Sequence, residues 1–172
     1  MNGYEPCYTL NGEKDPSLWK GDLPYYTEAD GHVGDISEWN PVRCNFNANG
    51  YRLPTKKEWA FAARGGNKSN HTQFSGSDDI DEVGWTEENS KERQQVATKK
   101  PNELGIYDMS GNVWEWCWDK MRSDPNDFRR IVKGGGCGTP ASYSAISYIS
   151  SDEPDVQSLY YGFRLCRSIG ER

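Results

Sequence analysis

Polar and apolar positions alternate most regularly in GIYDMSGNVWEWCWD, residues 105–119, where Trp114, Trp116 and Trp118 fall at every second position. An extended chain turns successive side chains to opposite faces, so the three indoles share one face of a strand. A second pattern has helical period. Trp59, Ala62 and Ala63 stand at i, i+3 and i+4 within residues 55–64, a narrow apolar stripe. Thr55 is placed to cap this helix and Glu58, three residues on, completes a capping box. Gly65-Gly66 supplies its stop. In RIVKGGG (130–136) Ile131 and Val132 open a buried strand, and the glycines permit close backbone approach. GFRLCR (162–167) reads as a final strand with Phe163 and Leu165 on one side and Arg164 on the other. YEPCYTL suits a short strand near the start. The segments between are polar and turn-rich: NGEKDPS, the loop from 67 to 85, and KMRSDPNDFRR after the tryptophans.

Composition narrows this to one loop-rich domain. The 172 residues suffice for a sizeable core, yet only 34 % are apolar, while aromatics reach 13 % with seven Trp and ten Tyr. Eighteen glycines and nine prolines favour many turns over long elements. A formal net charge of −6 without a basic block argues against nucleic acid and anionic membranes as partners. No apolar run approaches the length of a membrane span. The five cysteines, Cys7, Cys44, Cys117, Cys137 and Cys166, are odd in number and form no CxxC, so zinc is not expected. They read as buried free thiols of a reducing compartment, or as one disulfide plus free thiols if the protein is exported.

Three long motifs, YRLPTKKEWAFAARGG (51–66), GIYDMSGNVWEWCWD (105–119) and RIVKGGG…YYGFRLCR (130–167), occur in the order found in the formylglycine-generating enzyme, or sulfatase-modifying factor, family, which the chain resembles. The resemblance implies an α+β, C-type-lectin-like fold with few regular elements. It implies a single domain over 1–172, with a loosely matched part at 1–50 and the core motifs at 51–167. Family members carry further strands upstream, so the chain is either a short member or one whose front has been removed. No leader precedes residue 1. The compartment stays open: cell surface or extracellular space if a leader is lost, cytoplasm otherwise.

The resemblance also bears on chemistry. Family enzymes oxidise a substrate cysteine with copper held by two cysteines shortly after the glycine motif. Aligned from Lys133-Gly134-Gly135, those positions fall on Thr139 and Ser144, and hydroxyls are poor ligands for soft Cu(I). Cys137 lies two residues early and lacks a partner thiol in the segment. Copper is therefore not expected, and neither is catalysis. An iron-dependent branch uses histidines, but His32 and His71 stand alone in loop sequence, where a solvated role is the default. The family's structural calcium, carried over position by position, would take the Asp108 carboxylate, the Gly111 and Val113 carbonyls and the Glu115 carboxylate. Two carboxylates and turn carbonyls suit a hard ion; the plain alternative is that both acids cap the turn. Asp78, Asp79, Asp81 and Glu82 read as a solvated loop before a second cation site.

The ligand-binding surface is expected in the C-terminal segment 136–165. It holds no Lys, His or Trp up to residue 161 and is rich in Ser, Tyr, Gly and Ala, a composition that supplies adaptable contacts at low entropic cost. Thr139, Ser142, Tyr143, Ser144, Ser147, Tyr148, Ser150, Tyr160 and Tyr161 are the expected contact residues, for a protein or glycan ligand. The segment also resembles that of the variable proteins of diversity-generating retroelements, which share the lectin-like fold and end their diversified stretch at a GFR-type strand. A sulfatase-modifying oxidoreductase is the alternative function, and a structural accessory domain the blander one.

Overall fold

The computed structural model describes residues 3–19, 41–124 and 126–168. His32 and the rest of the stretch from 20 to 40 lie outside the described residues. The chain forms two compact units, one of Met1–Leu53, Pro154–Gln157 and Leu165–Arg172, the other of Pro54–Glu153 and Ser158–Arg164.

In the first unit β1 (Tyr8–Thr9) pairs antiparallel with β2 (Arg43–Cys44), and β3 (Tyr51–Arg52) pairs antiparallel with β10 (Cys166–Arg167), numbering along the chain. The expected short strand in YEPCYTL is thus β1. The Leu53 N–H donates to the Tyr8 hydroxyl at 2.7 Å, and burial pushes that phenol up to about 12. Arg52 is buried, with its guanidinium 4.9 Å from the Phe46 ring and 2.9 Å from the Cys166 sulfur. Cys7, Cys117 and Cys137 are buried, and Cys44 and Cys166 are half-buried.

The second unit is organised by α1 (Lys56–Ala63) and a four-stranded sheet. The capping box forms as expected: Glu58 N–H donates to Thr55 Oγ1 at 3.2 Å, and Thr55 N–H to Glu58 Oε2 at 2.8 Å. Asp119 accepts from the Lys56 N–H at 2.7 Å and ties this helix start to the sheet. Gly65 follows the helix at φ +84°, a left-handed stop. The last carbonyls do not go unsatisfied: Asn102 donates to Ala62 O at 2.8 Å and Ser75 to Ala63 O at 2.6 Å. A one-turn helix, α2 (Ile80–Val83), leads into β4 (Gly84–Trp85), which runs parallel to β5 (Ser110–Gly111).

The sheet contains β6 (Trp114–Lys120), β7 (Arg130–Lys133), β8 (Ser150–Asp152) and β9 (Tyr161–Gly162) in the order β8-β7-β6-β9. β6–β7 and β7–β8 are antiparallel; β6–β9 is parallel. Strand alternation divides its chemistry. One face carries Cys117 and Ile131, packed with Met109 against Trp59 and Ala63 of α1 to form the core. Trp59 is 1 % exposed, and truncating such an anchor costs about 3–5 kcal/mol. The opposite face carries Trp114 and Trp116, as the alternation predicts, and the register with β7 shifts between Trp116 and Lys120.

The final strand differs from expectation. GFRLCR divides between β9 and β10, and residues 163–165 pair with neither partner strand. The side-chain alternation persists: Phe163 and Leu165 are 66 % and 54 % exposed, while Arg164 turns inward. A strand pairs only where a neighbour offers a ladder, and here the two neighbours belong to different units. Among the described residues no helix is long and apolar enough to cross a membrane.

Candidate functional site

The tryptophan face of the sheet collects the tyrosines of the C-terminal segment. Tyr161 on β9 lies opposite Trp114 of β6 in register and stacks on Trp116, centroids 5.1 Å apart and planes 25° apart. Tyr143 and Tyr148 stack at 4.6 Å and 15°, and both lean on Trp114, at 6.3 and 6.1 Å. Offset aromatic pairs at these separations are attractive beyond their buried area. Tyr143 and Tyr160 are 37 % and 48 % exposed; Tyr148 and Tyr161 are half-buried. A cavity of about 290 Å³ opens here, lined by Trp114, Gly138, Thr139, Ser158, Tyr160 and Tyr161.

Polar groups fix these rings. The Tyr161 hydroxyl donates to Asp152 Oδ2 at 2.6 Å; burial first, and that carboxylate second, hold its proton well above the usual phenol range. Lys133, buried beneath the segment, donates to Ile146 O at 2.8 Å and to Tyr148 O. It lies 5.2 Å from the Trp59 ring centroid. Burial lowers its amine to about 8, and Lys56 pushes the same way. A buried ammonium must find acceptors, so Lys133 anchors the backbone that presents Tyr148.

The expected contact residues separate on this frame. Thr139, Tyr160 and Tyr161 line the cavity, and Tyr143 and Tyr148 flank it through Trp114. Ser142 is exposed, whereas Ser150 is half-buried in β8 opposite Val132. Ser147 is exposed but lines a different groove, beside α1. Ser144 departs from expectation: it is 0 % exposed, and the space against its Oγ is open only because residue 135 is glycine, where a Cβ would stand 2.4 Å away. It is part of the packing and offers a ligand no surface. The sequence reading did not place Trp114, Trp116 or Asp152 in the site. Alternation in β6 signalled the two indoles; nothing local signalled Asp152, which arrives by strand pairing.

The donors at the copper positions do not fit that metal. The Thr139 hydroxyl donates to Gly136 O and accepts from Gly136 N–H, both at 3.0 Å, closing a turn on itself. Ser144 is enclosed, and burial pushes the Cys137 thiol up, away from the thiolate that binds copper.

The calcium ligands expected from the family lie along residues 108–115, where Asp108, Gly111 and Asn112 stand at φ +57°, +78° and +66° and Glu115 belongs to β6. Asp108 Oδ2 accepts from Ala97 N–H at 2.8 Å, and its Oδ1 is buried without a partner, an oxygen a cation could take. Glu115 is committed elsewhere. Arg164 Nε and Nη2 reach its two oxygens at 2.6 Å each, and Trp59 Nε1 donates to Oε2 at 2.7 Å. Arg164 also donates to the Tyr107 and Asp108 carbonyls, at 3.2 and 3.3 Å. The four ligands therefore do not fit a calcium ion as a set while Arg164 holds Glu115. In the acidic loop, Asp78 accepts from Gln73 N–H, Asp79 caps α2 and Glu82 pairs with Lys100 at 2.8 Å. His71 is exposed.

Comparison with known proteins agrees with this architecture. The family pattern described as "Sulfatase-modifying factor enzyme 1-like domain" matches residues 18–169. Chaperone protein LppX of Paenibacillus barcinonensis is 38 % identical over 172 residues, covering 84 % of this chain and 61 % of that protein. Inactive C-alpha-formylglycine-generating enzyme 2 of Bos taurus is 30 % identical over 148 residues, covering 77 % of this chain and 49 % of that protein. The solved structure of Treponema denticola variable protein 1 superposes with a TM-score of 0.76 at 31 % identity, covering 96 % of this chain and 63 % of that one. The chain thus spans about half to three fifths of the length of these relatives.

Proposed function

Because this chain belongs to the sulfatase-modifying factor family, we propose that it is a non-catalytic binding domain that takes a protein or glycan ligand on the aromatic face of its sheet. The observation that carries this reading is the ring cluster itself. Stacked, part-exposed tyrosines backed by Trp114 and Trp116 flank a cavity lined by Thr139, a hydroxyl at one of the two family thiol positions. Tyrosine and tryptophan give broad amphipathic contact with few rotors to freeze. A family relative named as inactive and a fold neighbour named as a variable protein support a binding role, and a relative named as a chaperone favours a protein ligand. Variation across residues 136–165 is part of the proposal; a near-copy template repeat beside the gene supports it, and the absence of one removes it.

The test is a screen of the purified chain against a glycan array and a displayed peptide library. Hits are then re-measured with Tyr143→Ser/Tyr160→Ser. Central aromatic anchors contribute about 2 kcal/mol or more, so binding by the double variant should weaken by roughly thirtyfold or more. Ligands that bind wild type and variant alike sink the reading. The alternative, cysteine oxidation, is checked by loading copper and presenting a cysteine peptide; turnover that disappears in Cys137→Ala would overturn the binding reading.

A further inference from the structure

A second cavity of the second unit, about 700 Å³, shares no lining residue with the one on the aromatic face. Its walls are one face of α1, the loop at 69–73 and the segment 146–149. Lys56, Lys57, Arg64, His71 and Lys133 line it, and no carboxylate does, although the chain as a whole is acidic. The carboxylates nearby are engaged with backbone: Asp119 with Lys56 N–H, Glu103 with Asn70 N–H and Asp78 with Gln73 N–H. Among the described residues, no ion pair neutralises Lys56, Lys57 or Arg64. Two large apolar side chains stand among these charges, Phe61 at 48 % and Ile149 at 43 % exposure.

We propose that this groove is a second docking site, for an acidic peptide segment of a partner protein that carries an apolar anchor. Lys57 and Phe61 on α1 and Arg64 at its C-cap fall at i, i+4 and i+7, so the cations are strung along roughly 10 Å and do not converge on one point. That arrangement suits several carboxylates spaced along an extended chain better than a single small anion. The exposed Phe61 and Ile149 offer an apolar side chain a place between the charges. A long polyanion is disfavoured, because the surrounding net charge of −6 repels it beyond the groove while a short segment feels mainly the local cations. The proposal does not depend on the aromatic face, and its experiment leaves Tyr143 and Tyr160 untouched.

The probe is a fluorescein-labelled peptide of alternating Glu and Leu, about ten residues long, followed by anisotropy with the whole chain. The Gln-for-Glu analogue, an oligonucleotide of equal charge and phosphatidylserine vesicles are run beside it. Saturable binding of the Glu peptide is expected, weakening about tenfold in Lys57→Glu/Arg64→Glu and severalfold between about 50 and 200 mM salt. Lys91→Glu, on another surface, should bind as wild type does, and circular dichroism checks that each variant is folded. Should the double variant unfold, Phe61→Ser replaces it and is expected to weaken binding. No saturable binding, equal binding of the Gln peptide, tighter binding of oligonucleotide or vesicles, or an unchanged affinity in the folded groove variants each overturns the proposal.

Discussion

Arg164→Met removes the guanidinium from Glu115 while keeping most of the stem that packs beneath it. Glu115 is only 6 % exposed, and Arg164 supplies hydrogen bonds of 2.6 Å to each of its oxygens. Without them, among the described residues, the Trp59 N–H is the donor that remains on that carboxylate. Breaking a buried pair from one side leaves a desolvated charge, which costs about 3–5 kcal/mol. For a chain of this size that corresponds to a fall in Tm of roughly 6–20 °C. Glu115→Gln should cost less, since the amide still accepts from Trp59 and Arg164 retains some access to water. Combining both changes should cost less than their sum, with a coupling of about 1–3 kcal/mol. Thermal and denaturant unfolding of wild type, both singles and the double supply the cycle. The reasoning is refuted if Arg164→Met costs under about 1 kcal/mol, the worth of an exposed pair, or if the two singles simply add.

Three further outcomes are expected. EDTA should leave Tm within about 1 °C, because Arg164 already supplies the positive charge that Glu115 requires; a larger fall that calcium reverses, and that Glu115→Ala abolishes, shows that an ion displaces the guanidinium. Lys133 has its amine lowered to about 8, so between there and its ordinary value near 10.4 the folded chain binds fewer protons than the unfolded one. Stability relative to Lys133→Met should therefore rise by roughly 1–2 kcal/mol from pH 8 to about 10, screening allowed for. Above pH 10 Tyr8, raised to about 12, acts in the opposite sense, and absolute stability falls. A flat difference across pH 8–10 means that the carbonyls of Ile146 and Tyr148 keep the amine charged. Gly111→Ala meets both a left-handed φ of +78° and a Cβ site 2.4 Å from the Trp85 carbonyl, whereas Gly105→Ala, at φ +74°, meets nothing within 4 Å. The first should cost at least about 2 kcal/mol more than the second, which bears only the conformational penalty of about 1–2 kcal/mol; equal melting temperatures contradict the close approach of β4 and β5.

The local patterns carried a good deal. Thr55 and Glu58 specify the start of α1 because a capping box closes within four residues, and the indoles at 114 and 116 share a face because strand geometry has period two. The family, and with it the fold, was legible from three motifs in order. Other features came only with the tertiary structure. Ser144 and Ser142 look alike in sequence, yet one is enclosed against Gly135 and the other exposed. Glu115 looked like an ion's ligand until Arg164, 49 residues later, was brought to it. The cationic groove needed α1, the 69–73 loop and the 146–149 segment side by side. Periodicity and capping are short-range, so the sequence by itself determined them. Burial and charge pairing are settled by which distant segments meet, and only the folded chain decides that.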